Sequence, residues 1–279
     1  MSVNGEFSGW ILDFDGTLVE IENHPDQVRL PPERLHWLFE LARREPVWIC
    51  TGRSLADLEK ILDQVCSSLL PAPEWRERLG CIGSHGLEWR FPLSTWQNHF
   101  PQLQFSPELK SSEEKRVKTR VTSAWWNWRQ DREPRLRELL REAGLWLEEK
   151  SISWTVHSIQ KETVSDSTHL SGFPIATRRA LESLEDARVG ILYGKRVANF
   201  VERGHSKGRA VQELILTQIR GLRQFRVIGD EETDETVFRL GTVDSRIYGI
   251  KVGQGETAAR ERVSDVEAVW RLIQDRSSG

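Results

Sequence analysis

The sequence predicts an α/β protein: a core with a parallel sheet and helices on its faces, built from both ends of the chain and carrying an inserted α+β module. Three observations lead there. Apolar strand-like runs alternate with helical periodicity from residue 10 to 91. From residue 92 the pattern changes to charged amphipathic helices and a segment of strict polar–apolar alternation. The strand–helix alternation then resumes to the end. Residues 1–91 and 203–279 are therefore assigned to the core, and 92–202 to the insertion, which is placed to act as a lid.

The elements follow in order. Trp10, Ile11 and Leu12 open a buried strand over 10–14. Leu35, Leu38, Phe39, Leu41 and Ala42 repeat with helical spacing behind Pro32, a residue suited to a first helical turn. Val47-Trp48-Ile49-Cys50 is a second strand, followed by a helix over 55–65. Two short extended pieces flank Gly83-Ser84-His85-Gly86. In the insertion, helices are expected over 111–129 and 134–142. Residues 151–157 place Ile152, Trp154 and Val156 on one face and Ser153, Thr155 and His157 on the other, as in an antiparallel strand with one covered face. A helix over 174–187 precedes a hairpin of 189–192 and 197–201. The core resumes with a helix over 206–219, a buried strand over 225–228, a short helix over 235–240, a strand over 246–252 and a closing helix over 263–273.

Composition narrows the function. The 279 residues carry a net charge of −3, with no positive excess to meet a phosphate backbone, so no nucleic-acid partner is expected. Cys50, Cys66 and Cys81 are odd in number and lack metal-ligand spacing, which fits reduced thiols in a cytoplasmic protein. The N-terminus has no basic-then-apolar leader, and no apolar run approaches the roughly 20 residues that span a bilayer, so no membrane partner is expected. A monomer or weak oligomer is expected. Twelve tryptophans stand beside two tyrosines. Most read as large core fillers, with sugar stacking open to one or two.

Four motifs fall at strand ends or helix starts. Asp13-Phe14-Asp15-Gly16-Thr17 closes the first strand. Side chains alternate with period two, so both carboxylates are expected on one side of the backbone, at the strand end where open α/β sheets bind ligands. One carboxylate would attack and the other move protons, beside a divalent cation; the competing reading is a polar Asp-Gly turn. Thr51-Gly52-Arg53 ends the second strand, where Thr51 either helps hold phosphate oxygens or caps the following helix. Lys207, in Gly204-His205-Ser206-Lys207-Gly208, puts a cation at the unfavourable end of a helix dipole, which suggests a task for its charge; a solvated lysine is the other reading. The run 230–235 holds five carboxylates in six positions. Their repulsion would be relieved by a hard cation with oxygen ligands; a solvated acidic loop is the other reading.

In this order, at these positions, the four motifs resemble the haloacid-dehalogenase superfamily, whose core is Rossmann-like. The resemblance implies that Asp13 is a nucleophile forming an aspartyl-phosphate and that Asp15 is general acid, then base. Thr51, Gly52, Arg53 and Lys207 would bind the phosphoryl group. Mg2+ would be held by Asp13, the carbonyl of Asp15 and Asp230, with Asp234 nearby. The insertion between the second and third motifs resembles a type-2 cap. The lack of a membrane portion separates the chain from ion pumps that share the intermediate.

Within the superfamily the chain is similar to the trehalose-6-phosphate phosphatase family. Gly229-Asp230-x-x-Thr233-Asp234-Glu235-x-x-Phe238, Ser84-His85-Gly86-x-Glu88, the segment from Lys150 to His157, Gly194-Lys195-Arg196 through Lys207-Gly208, and Val252-Gly253 with Thr257-Ala258 carry the likeness. It implies a Mg2+-dependent phosphatase acting on a small sugar phosphate, with His85, Gly86, Lys150, His157 and Asn199 at the substrate. Lys150 and His157 also read as solvated strand residues. Asn199 and Val201 stand where relatives usually carry an acidic and a basic residue, Ile159 where they usually carry arginine, and Glu231 where they carry aspartate. Three functions follow as alternatives: trehalose-6-phosphate hydrolysis, hydrolysis of another glycosyl phosphate such as a glucosylglycerate or sucrose type, and sugar-phosphate binding without turnover. The retained carboxylates weigh against the last.

Overall fold

The computed structural model describes residues 8–22, 24–67, 75–113, 118–119, 121–158, 173–194 and 196–278. They form two compact units: Met1–Lys118 with Ser206–Asp230 and Asp234–Gly279, and Thr119–His205 with Glu231–Thr233.

The first unit is the expected α/β layer structure. Its sheet collects β1 (Ser8–Leu12), β2 (Val47–Cys50), β3 (Leu79–Gly83) and β4 (Glu88–Arg90) from the first half, with β6 (Lys118–Thr119) at one edge. The second half supplies β12 (Gln224–Gly229), β13 (Ile247–Val252) and β14 (Glu261–Val263). The order is β14-β13-β12-β1-β2-β3-β4-β6. Pairing is parallel from β14 through β3, and β4 returns antiparallel on β3.

Period-two alternation sends Trp10, Leu12, Val47 and Ile49 into one core, with α1 (Pro32–Ala42), α2 (Leu55–Ser67) and α9 (Val266–Ser278). Ile11, Trp48 and Cys50 enter the core on the other face, with α3 (Leu93–His99), α4 (Pro107–Glu113), and the helical turn α7 (Lys207–Ala210) and its continuation Val211–Leu216. Trp48 sits edge-on to Trp96 at 4.7 Å. Burial of both faces explains why these strands read as unbroken apolar runs. Because β1 lies between β2 and β12, the loops leaving their carboxyl ends converge, which is where such sheets bind ligands.

Leu93–Glu113 adds to the same core. Trp96, Phe100, Leu103, Phe105 and Leu109 bury into the Trp48 core, and β5 (Gln104–Phe105) pairs with β11 (Ile219–Arg220). The first compact unit runs on through Lys118.

The second unit packs α5 (Ser123–Ala143) and α6 (Ile175–Glu182) on a four-stranded sheet of β7 (Trp146–Glu149), β8 (Trp154–His157), β10 (Val197–Glu202) and β9 (Val189–Gly194), in that order. All its pairings are antiparallel. Trp125 and Trp128 stack at 5.5 Å and meet Trp154 and Phe200 in its core. Trp126 and Trp146 are exposed, and the remaining large ring systems are mostly core.

Three expectations for the insertion are corrected. The helix drawn over 111–129 is broken: α4 ends at Glu113, β6 intervenes, and residues 114–117 and 120 lie outside the described residues. The new helix begins at Ser123 because Thr122 caps it, its hydroxyl accepting from the Ala124 N–H while Glu202 takes the Thr122 N–H and O–H. That helix then runs through Pro134 to Gly144, whose φ of +61° closes it, instead of restarting at the proline. Nor does residues 151–157 show a solvent face: Ser153 and Thr155 are buried. Ile159 lies outside the described residues.

Candidate active site

The loop after β1, the end of β12 with the helix Glu232–Phe238 that follows it, and the start of α7 bring together Asp13, Asp230, Asp234 and Lys207. One carboxylate oxygen from each aspartate lies within 4.8 Å of the others, and all three residues are buried. Lys207 Nζ donates to Asp13 Oδ1 at 2.6 Å and to Asp234 Oδ1 at 2.9 Å. Ser206 caps the helical turn, its Oγ accepting from the Arg209 N–H, so Lys207 leaves the first turn toward the cluster. Two buried carboxylates answer the placement of a cation at a helix start.

Two glycines make room for the acids. Gly16 has φ +77°, and a Cβ there would stand 2.3 Å from Asp230 Oδ2. A Cβ on Gly229 would stand 2.2 Å from Asp234 Cγ. The Asp-Gly-Thr turn thus passes against the Asp230 carboxylate. The donor set is all oxygen, buried and close, which suits a small hard cation. Cys50, next to the site, stays a neutral thiol because burial pushes its pKa up to about 12.

Asp15 stands apart. β1 ends at Leu12, and the chain turns at once, with Leu18 N–H on the Phe14 carbonyl. The period-two expectation therefore does not reach Asp15. Its two oxygens take Arg53 Nε and Nη2, both at 2.7 Å, in a bidentate pair.

Thr51 is buried, and its Oγ1 accepts from the Arg53 N–H at 3.1 Å. It does not cap α2; Ser54 does, accepting from the Asp57 N–H. Gly52 matters because a Cβ would meet His85 Cε1 at 2.6 Å. His85 is buried directly over it. Ser84, His85 and Gly86 all have left-handed φ, at +47°, +54° and +102°. That strained run is held by backbone bonds, Ser84 N–H to Arg53 O and His85 N–H to Thr51 O, and by Glu88. Glu88 Oε2 accepts from Ser84 Oγ at 2.8 Å and from Leu55 N–H at 3.0 Å, tying the turn to the start of α2. Sequence reasoning quotes Glu88 only as part of a motif. A buried acid four residues after Ser84 was the available signal.

In the second unit, Glu148 gathers the expected pair. His157 Nε2 lies 2.9 Å and Lys150 Nζ 3.6 Å from Glu148 Oε2, with Trp146 against the His157 ring at 4.4 Å. Glu148 was missed because its closer partner, His157, comes from β8, which spacing along β7 does not reveal. Asn199, expected at the substrate, lies on β10 between β8 and β9. It is buried, Oδ1 accepts from Thr155 Oγ1 at 2.8 Å, and Nδ2 donates to the Leu192 carbonyl at 3.2 Å. Both ends of its amide are committed between neighbouring strands.

With this geometry in hand, comparison with known proteins is decisive: residues 11–266 match the model of the family described as trehalose-phosphatase. The chain belongs to the trehalose-phosphatase family. That makes it a member of a family of phosphoric monoester hydrolases. It is 26% identical to a trehalose-6-phosphate phosphatase of Escherichia coli over 273 residues, covering 95% of this chain and 85% of the relative. It is 24% identical to a bifunctional trehalose-6-phosphate synthase/phosphatase of Thermoproteus tenax, again over 95% of this chain but only 31% of that protein's length. Among solved structures, the C-terminal domain of the C. albicans trehalose-6-phosphate phosphatase superposes with a TM-score of 0.71 over 98% of this chain and 92% of that one, at 18% identity. The last likeness bears on the fold, an α/β core with a mostly parallel sheet. No helix among the described residues is long and apolar enough to cross a membrane.

Proposed function

We propose that the chain hydrolyses trehalose 6-phosphate to trehalose and phosphate through a phosphorylated Asp13, with Mg2+ in the acidic cluster. The observation that carries this reading is the buried Asp13–Lys207–Asp234 contact beside Asp230, in a chain of the trehalose-phosphatase family.

Asp13, Asp230 and the carbonyl of Asp15 would hold the ion, with Asp234 close by. When bound, it offsets charge on the phosphoryl group, which carries about two negative charges near neutral pH. Thr51 and Lys207 hold phosphoryl oxygens, and Arg53 turns from Asp15 to join them. A carboxylate oxygen of Asp13 bonds to phosphorus as the bond to the sugar oxygen breaks. Asp15 gives that oxygen its proton. Asp15 then takes a proton from water, whose oxygen attacks phosphorus. The Asp13–phosphorus bond breaks, and phosphate leaves.

The first unit serves as the catalytic core and the second as the cap. Lys150 and His157, held by Glu148, are the cap's sugar contacts, and His85 with Gly86 borders the phosphate end. The three cysteines are free and buried, which supports a reducing, cytoplasmic setting. Phosphate release with and without chelator tests the ion: EDTA should stop it and Mg2+ restore it, and release indifferent to chelation would oppose the reading.

A further inference from the structure

Lys251 and Glu235 are buried ionisable groups that the proposed steps do not use. Lys251 sits on β13, paired in register with Gly229, immediately before Asp230. Its exposure is 5%. Its Nζ donates to the backbone carbonyl of Asp230 at 2.7 Å, not to a carboxylate. Glu235 Oε1 lies 3.6 Å from the same ammonium, and Glu235 Oε2 accepts from the Ala258 N–H at 2.9 Å. An ammonium is costly to bury, and an apolar side chain of similar length would pack on this strand more cheaply. Its placement needs another reason.

We propose that Lys251 and Glu235 are positioning residues that set the metal affinity of the Asp230 carboxylate. Lys251 fixes the peptide that carries Asp230, whose carboxylate lies against Gly16 with no room for a Cβ there. Glu235 balances the ammonium, so that its charge does not oppose a cation a residue away, and ties the 253–258 loop to the same post. Outer groups of this kind orient the groups that touch a metal. The inference rests on the proposed metal reading.

Manganese(II) binding to the full chain, followed by electron paramagnetic resonance without substrate, tests it. Lys251→Met should raise the dissociation constant by about 10- to 100-fold while circular dichroism stays that of the parent. Glu235→Gln, which keeps the acceptor for Ala258, should also weaken binding, because the ammonium then acts on the site without its counter-charge. Lysine and glutamate serving packing alone would lower thermal stability but leave manganese affinity unchanged in both variants, and that result overturns the inference. Failure of the parent chain to bind manganese saturably would instead overturn the metal reading itself.

Discussion

Lys207 holds Asp13 at 2.6 Å with the two side chains 2% and 5% exposed, so water scarcely screens their attraction. The same ammonium reaches Asp234 at 2.9 Å. One cation thus sets the spacing of two acids that would otherwise repel.

Removing it should hurt twice. Lys207→Met leaves buried carboxylates facing each other, which should cost about 3–5 kcal/mol of stability, measured by denaturant unfolding. Adding Asp234→Asn should recover part of that stability. It should not recover phosphate release, because the phosphoryl contact is still missing. Recovery of activity in the double variant would show that Lys207 is only a structural counter-ion.

Asp13→Asn keeps size and shape but removes the attacking charge. Activity should fall by at least about a thousandfold with the fold unchanged by circular dichroism. Sustained turnover would reject Asp13 as nucleophile.

Gly16 and Gly253 share a φ of +77°, yet a Cβ at Gly253 meets nothing within 4 Å. Alanine at either position should cost about 1–2 kcal/mol for the left-handed backbone. Only Gly16→Ala should also lose activity, since its Cβ displaces the Asp230 carboxylate. Equal activity in the two variants would remove Asp230 from the chemistry.

Much of this was legible in the sequence for a physical reason. Strands buried on both faces write continuous apolar runs, and helix α1 and strand β2 fall at their expected bounds. The acids and Lys207 were legible because charged residues at strand ends and helix starts need partners. What escaped was set by partners distant in sequence or by backbone geometry. The left-handed Ser84–Gly86 turn, the Glu88 tie and the Lys251 bond to Asp230 leave no periodic trace. The Arg53 pair of Asp15, formed just after the strand stops at Leu12, is another contact between residues far apart in sequence. Pro134 suggested a helix end that packing of Trp128 and Leu136 on opposite sides of it overrides.

Asn199 yields a further test. Asn199→Asp replaces a donor with a carboxylate oxygen facing the Leu192 carbonyl. Stability should drop by about 1–3 kcal/mol, with little change in KM for any sugar phosphate. A marked KM decrease would show that the side chain faces the substrate instead.

Substrate identity is settled by phosphate release across a panel of sugar phosphates. Trehalose 6-phosphate should be turned over with a kcat/KM well above those for glucose 6-phosphate, sucrose 6-phosphate and glucosylglycerate phosphate, and all release should vanish with Asp13→Asn. Equal rates on trehalose 6-phosphate and glucose 6-phosphate would contradict the claim.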